Sequence, residues 1–244
     1  MRQKIRKTLL FISFICLPIT LCYFSPVLII LDTAKGIISG SFVVFSVIFV
    51  LSVFFGRLFC GWLCPCGGGQ ECVSFIGLKR AKGGWQNYIK YFVSALWIGT
   101  IISFAIQAGG YTALDFFRHT DSGISLITQK GAMAYPMYYI VMSMILIPTL
   151  LFGRRAFCHY VCWLAPLIIL GTKIQKHCNI PGVRLKAQKN HCIGCKKCDT
   201  ACPMSLNVYD MVQQDHMNNN ECILCNACTD ACPQKAIKIG LWIR

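Results

Sequence analysis

Eight cysteines in the last quarter of the chain have the type and spacing to do chemistry. The sequence reads C-I-G-C-K-K-C-D-T-A-C-P from Cys192 to Pro203 and C-I-L-C-N-A-C-T-D-A-C-P from Cys222 to Pro233. Both are C-x2-C-x2-C-x3-C-P. Short x2 spacings let three thiolates of one loop wrap three irons of a cubane, and the fourth iron then needs a ligand from elsewhere. Cys-x2-Cys pairs also bind zinc. The third cysteine and the trailing x3-C-P oppose that reading. Iron–sulfur ligation needs reduced thiolates, so the 17 cysteines of the chain point to a reducing compartment rather than to disulfides.

Over residues 184–244 the pattern resembles a two-cluster bacterial ferredoxin domain. In that pattern each fourth cysteine serves the other cluster. One [4Fe–4S] set is then Cys192, Cys195, Cys198 and Cys232, and the other is Cys222, Cys225, Cys228 and Cys202. Pro203 and Pro233 turn the chain away after each fourth cysteine. The expected activity is one-electron transfer, with no substrate chemistry within the domain.

A second set of cysteines is paired differently. Phe55–Gly67 reads F-G-R-L-F-C-G-W-L-C-P-C-G, and Phe152–Cys162 reads F-G-R-R-A-F-C-H-Y-V-C. Each copy keeps Gly-Arg, a Phe before the first cysteine, and Cys-x3-Cys. On a helix, residues four apart share a face, so Cys60 with Cys64 and Cys158 with Cys162 could supply four thiolates to a third cluster or another metal. A dithiol–disulfide switch is the competing chemistry. Arg57, Arg154 and Arg155 could offset an anionic thiolate site or hold a quinone or lipid head group; they could also simply anchor helix ends. Cys66 and Cys72 are spare ligands or bystanders. Cys16 and Cys22 are read as small apolar residues, and Cys178 carries no assignment.

The elements that must position these residues are apolar helices. The chain has 244 residues, 55% hydrophobic and only 14% charged, and its apolar residues fall in long runs that mark a membrane protein. Four spans are expected: Thr8–Leu31, kinked by Pro18 and Pro26; Ile37–Phe55; about Tyr91–Ala108; and Tyr135–Phe152. Ala156–Thr172 is expected as an interfacial or half-buried helix, with a fifth span as the alternative. The 24 Lys and Arg against 9 Asp and Glu flank the spans and form no basic face with interleaved aromatics, which excludes nucleic acid. Basic residues cluster at the N-terminus, over 56–90 and at 154–176, whereas the other side has only Lys35, Arg118 and Lys130. Both termini and both Cys-x3-Cys copies are therefore expected at the cytoplasmic edge. In the far loop, Asp115, Arg118, His119 and Asp121 could handle protons from a quinol, with a solvated polar loop as the preferred reading.

The expected architecture is an α-helical membrane domain over 1–172, built from two helical-hairpin repeats. A basic linker over 173–190 and a small α+β 2[4Fe–4S] domain over 191–244 follow. C-G-W-L-C-P-C-G, C-H-Y-V-C-W-L-A-P and the terminal cysteine motifs, taken together, resemble the NapH-type membrane ferredoxins, related to the membrane parts of NosR and CcoG. That resemblance implies a multi-pass protein of a bacterial or archaeal cell membrane. It would carry electrons between the quinone pool, or a membrane or cytoplasmic redox partner, and its [4Fe–4S] clusters. An assembly factor that reduces a metal ion or disulfide for a partner enzyme, and a redox-sensing regulator, are the other function classes. Two residues depart from the family pattern: Trp163 stands after Cys162 where a proline is usual, and Cys66 follows Pro65.

Overall fold

The computed structural model describes residues 1–76, 79–120, 123–125 and 134–242. The expectations for Asp121 and Lys130, and the end of the C-terminal region at Arg244, lie outside them. The described chain is mostly helical. Its N-terminal part is α1 (Arg2–Ile15), α2 (Pro26–Thr33), β1 (Ile37–Ser39), α3 (Gly40–Phe55), α4 (Leu58–Trp62), α5 (Pro65–Val73), α6 (Ile89–Gln107), β2 (Ala113–Asp115), α7 (Ala134–Phe152), α8 (Ala156–Tyr160) and α9 (Leu164–His177). The rest is β3 (Gly182–Ala187), α10 (Lys197–Ala201), α11 (Val208–Gln213), α12 (Ala227–Ala231) and β4 (Ile237–Trp242).

The duplicated motif produces a duplicated backbone. Each copy is a long apolar helix (α3, α7), a glycine at positive φ (Gly56 58°, Gly153 106°), a five-residue helix (α4, α8) and a further helix (α5, α9). Positive φ is open to glycine at little cost, which lets the chain turn sharply off the long helix. The turn bonds repeat as well. Phe59 O accepts from Leu63 N and Cys64 N at 3.0 Å, and Phe157 O accepts from Val161 N and Cys162 N at 3.0 Å. The copies then cross: α5 packs on α7, and α9 packs on α3. Gly171 permits the second crossing, because a Cβ there would meet Ser52 Oγ at 1.9 Å.

The run 85–107, which contains α6, is long and apolar enough to cross a membrane; α3 and the part of α7 from Tyr138 to Phe152 are apolar but shorter. Large apolar side chains point outward from all of them, among them Phe92, Ile106, Phe54 and Leu151. An apolar surface of that extent needs an apolar cover.

Thr8–Leu31 does not form one kinked helix. It breaks at Cys16 and again at Ser25, with a 57° bend between its first two helical pieces. The prolines account for both breaks, since each lacks an N–H and restricts the residue before it. Ser25 is extended (φ −85°, ψ 118°) and caps α2 by accepting from Leu28 N. Ala156–Thr172 also divides, into α8 and the start of α9. At the end of α3 remote from the cysteines, β1 pairs in parallel with β2.

The C-terminal region is a small α+β unit. β3 and β4 pair antiparallel from Gly182↔Trp242 to Ala187↔Ile237, and the two cysteine motifs loop between them.

Candidate functional site

Each C-terminal motif is held open by the same backbone device. Left-handed residues stand two, four and thirteen positions after the first cysteine: Gly194, Lys196 and Ser205 in one copy, Leu224, Asn226 and Lys235 in the other. Non-glycine residues adopt this region at a cost of about 1–2 kcal/mol each. Such turns aim successive N–H groups into the loop. Ala236 N–H donates to Cys232 Sγ at 3.3 Å, and the matching Leu206 N–H faces Cys202.

Two cavities result. One is lined by Cys192, Cys195, Cys198 and Cys232 with Tyr209, Val212 and Ile237. The other is lined by Cys202, Cys222, Cys225 and Cys228 with Met204, Leu206 and Ile223. Both have four sulfur donors and an apolar wall. As free thiols the second set resists ionisation: burial pushes Cys222 up to about 11 and Cys202 up to about 12. Ligation to a metal removes that proton. Among the described residues no three His, Cys, Asp or Glu side chains are grouped as for a single metal ion. The four-sulfur donor sets, the apolar walls and the inward N–H groups fit iron–sulfur clusters.

The two Cys-x3-Cys pairs come together. Cys60 and Cys158 are buried, Cys64 and Cys162 half-buried, and all four thiols lie within electrostatic reach of one another. Burial pushes Cys158 up to about 11, against the pull of Arg155, and raises Cys60 and Cys162; Cys64 is raised first by its hydrogen bond with Cys66 and then by burial. Cys66 lies within hydrogen-bond reach of Cys64. Gln70, fully buried, donates to Cys158 Sγ at 3.1 Å and accepts from Thr149 Oγ1 at 3.1 Å. Cys72 lines a neighbouring cleft, and Cys178 is exposed.

One buried ion-pair set braces the Cys60–Gly61 turn, and a second ties this site to the C-terminal region. Glu71 accepts from Arg6 and from Arg155 Nη2 at 2.8 Å. Arg155 also donates to Cys60 O at 2.9 Å, and Arg6 to Gly61 O at 3.3 Å. Burial alone would raise the Glu71 carboxyl, but Arg155 and Arg6 hold it down at about 2. In the second set Arg57 donates to Glu221 Oε2 at 3.0 Å and Asn220 O at 2.8 Å, and Lys90 pairs with Glu221 Oε1. Arg57 and Arg155 are each 2% exposed. They face carboxylates and cysteines, and Arg155 also lines the cleft beside α1. Arg154, the extra residue of the second copy, donates to Thr200 O at 3.1 Å.

The residues after the first cysteine of each copy touch the same cavity. A Cβ on Gly61 would stand 2.3 Å from Ile223 O, and Trp62 Nε1 donates to Leu224 O at 3.2 Å. His159 Nε2 donates to Met204 O at 3.0 Å, and its buried Nδ1 has no partner among the described atoms. The Cys202/222/225/228 cavity is therefore the inner one. In the far loop, His119 and Arg118 pair with Asp32, 1% exposed, at 2.9 and 3.4 Å; Asp115 is exposed. That cluster sits at the opposite end of α3 from the cysteines.

Glu71, Gln70, Arg6, Lys90, Glu221 and Gly61 were not marked by motif. Glu71 had one signal, being among only four acidic residues before position 184.

Comparison with known proteins agrees with this chemistry. A 4Fe-4S binding domain model matches residues 39–83 and again 134–181, the two stretches that hold the Cys-x3-Cys copies. A 4Fe-4S dicluster domain model matches residues 191–237. These matches support an iron–sulfur electron-transfer family. Two uncharacterized proteins of Methanocaldococcus jannaschii, MJ0750 and MJ0749, are 29% and 26% identical. Each alignment covers 87% of this chain, with 85% and 77% of the relatives. A protein of Escherichia coli (strain K12) named "Putative electron transport protein YccM" is 23% identical over 67% of this chain and 46% of its own length. No solved structure matches.

Proposed function

We propose that the chain is a NapH-type, membrane-bound electron carrier with three iron–sulfur centres in series. Iron–sulfur clusters supply reversible one-electron transfer. Cys192, Cys195, Cys198 and Cys232 would hold the outer cluster, and Cys202, Cys222, Cys225 and Cys228 the inner one. Cys60, Cys64, Cys158 and Cys162 would hold a third against the inner cavity. The observation that supports this reading is the Gly61–Ile223 contact, where the backbone next to Cys60 meets the backbone next to Cys222.

In this reading the outward apolar faces of α1, α3, α6 and α7 meet lipid, four spans are made, and both termini lie inside. Helix α3, 16 residues, is about 24 Å long, short enough to ask for local thinning of the bilayer. The chain's own residues have structural tasks. Arg57 and Arg155 offset thiolate charge from between the two cysteine sets, Gln70 orients Cys158, and the apolar walls exclude water. A cleft of about 900 Å³ opens between α1 and the C-terminal region, lined by the apolar Leu10 and Phe11, the basic Lys7 and Arg154, and the acidic Glu71 and Asp230. It suits an amphipathic ligand such as a quinone, beside the inner cavity.

The test is iron and sulfide analysis of the purified chain with EPR. About twelve irons per chain are expected, falling to about eight in Cys60→Ser or Cys158→Ser. An unchanged count of about eight in both variants and parent removes the third centre. Failure of quinol to bleach the clusters in proteoliposomes removes the quinone role.

A second reading has one observation behind it, the contact of Cys64 with Cys66. A dithiol there would suit a reductase that matures a partner enzyme. Thiol labelling of Cys64 and Cys66 that is identical in oxidised and reduced membranes counts against it.

A further inference from the structure

We propose that the loop bearing the outer cysteines, with Ile193 at its tip, is the docking surface for a small acidic one-electron carrier protein. The proposal rests on the electron-transfer reading above. It adds where a soluble partner meets the chain and what that partner's surface must carry.

The two motif copies have the same spacing and the same left-handed residues, yet opposite surroundings. Ile223, Leu224 and Cys225 are 2%, 8% and 8% exposed. At the equivalent places Ile193 is 63% exposed, and Gly194 and Cys195 are exposed too. An isoleucine at the tip of a cofactor loop is an apolar anchor without a cover on this chain.

Charge around it has one dominant sign. Lys189, Lys196 and Lys197 are exposed on the loop, and Lys235 is exposed beside Cys232. Lys196 Nζ lies 5.2 Å from the Tyr209 ring. Two carboxylates are close: Asp199 accepts from Tyr209 N at 2.8 Å, and Asp210 is exposed on α11. Four cations against two anions, one of which is already engaged, make a basic collar. Such collars steer acidic partners and set orientation.

The collar also faces away from the membrane half. The hydrogen bonds that tie the C-terminal region to residues 1–177 fall on Thr200–Asn207 and Asn218–Asp230, as with Arg154 to Thr200, Arg80 to Leu206, Lys176 to Asn218 and Gln3 to Asp230. The loop 188–197 lies outside both stretches. One electron crosses between the docked carrier and this chain. One side is oxidised by one electron, the other is reduced by one, and no bond or proton changes place.

The test uses the full cluster-loaded chain in nanodiscs and a purified flavodoxin as the acidic carrier. Binding is measured against salt for the parent, for the triple variant Lys189→Glu/Lys196→Glu/Lys197→Glu, for Ile193→Asp, and for the control Lys79→Glu/Lys82→Glu. Expected is a dissociation constant at least tenfold weaker for the triple variant and for Ile193→Asp. Its salt dependence is flattened in the triple variant, and the control lies within twofold of the parent. Amine labelling of Lys196 and Lys197 should be equal in phosphatidylcholine and phosphatidylglycerol membranes. Equal flavodoxin affinity in parent and triple variant overturns the proposal. So does protection of those lysines in phosphatidylglycerol alone, since the collar then rests on lipid. A parent whose dithionite-bleachable iron–sulfur absorbance is absent fails the electron-transfer reading itself. Normal bleaching with unchanged affinity fails the docking surface alone.

Discussion

The loops Cys192–Cys198 and Cys222–Cys228 are near-copies in spacing and backbone, and they differ in what covers them. The second is sealed by Gly61 and Trp62, with one buried ion-pair set bracing their turn and another at Glu221; the first is open, with Ile193 outermost. Spacing thus fixes what each loop can ligate. The rest of the chain determines which loop faces inward. Buried charge lies around the sealed loop and solvated charge on the open one, so the same kind of substitution should have unequal effects in the two.

The largest contrast is expected from the carboxylates of the seal. Glu71→Gln strands Arg6 and Arg155, and Glu221→Gln strands Arg57 and Lys90; each should cost about 3–5 kcal/mol, read as a fall in thermal midpoint in detergent. Asp210→Asn on the open side should change it by less than about 0.5 kcal/mol. Equal losses on both sides would break the comparison. The same seal has a pH signature. Glu71 is held at about 2 against an ordinary 4.5. Its folded value is depressed, so its contribution is complete above about pH 4.5 and drains away as pH falls toward 2. Trp62 fluorescence, reporting the bond to Leu224, should stay flat from pH 8 to pH 5 and change below about pH 4. A transition centred near neutrality would point to a different group.

Next comes shape. Gly61→Ala puts a methyl group against Ile223 O and should destabilise by about 1–3 kcal/mol, with faster alkylation of Cys225 in the metal-free protein. Ile193→Ala on the open loop should leave both measurements where they were. A smaller effect is expected at the matched left-handed positions. Gly194→Ala should cost about 1–2 kcal/mol at most, comparable with what Leu224 already bears at φ 51°. A markedly larger loss there would mean that the open loop is covered after all.

Chemistry written in local spacing was legible in the sequence. The eight C-terminal cysteines line two cavities, and the pattern behind that grouping shows in two runs of twelve residues. The convergence of Cys60, Cys64, Cys158 and Cys162 was legible for another reason: two equal motifs fold into equal turns, and equal turns can cross. Contacts that join distant residues were not legible. Nothing near Glu71 announces Arg155, 84 positions away, and nothing near Gly61 announces Ile223. The arginines illustrate the difference. Their place beside the cysteines was visible, but their carboxylate partners were not, and the partners turn them inward. The broken first helix was half legible, since Pro18 and Pro26 mark the break points but do not say that the break is complete.

The Gly61–Ile223 contact also bears on how the molecule is made. With the inner loop pressed against Gly61 and Trp62, Cys225 and Cys228 are only 8% and 7% exposed, which leaves little of either thiol open to iron and sulfide from the aqueous phase. Filling must come first and closure second. A cell starved of iron during synthesis should therefore accumulate chains whose C-terminal region hangs undocked, cut by protease between Cys178 and Arg184, whereas starvation after synthesis should leave them resistant. The order of events in biogenesis is thus set by a missing methyl group.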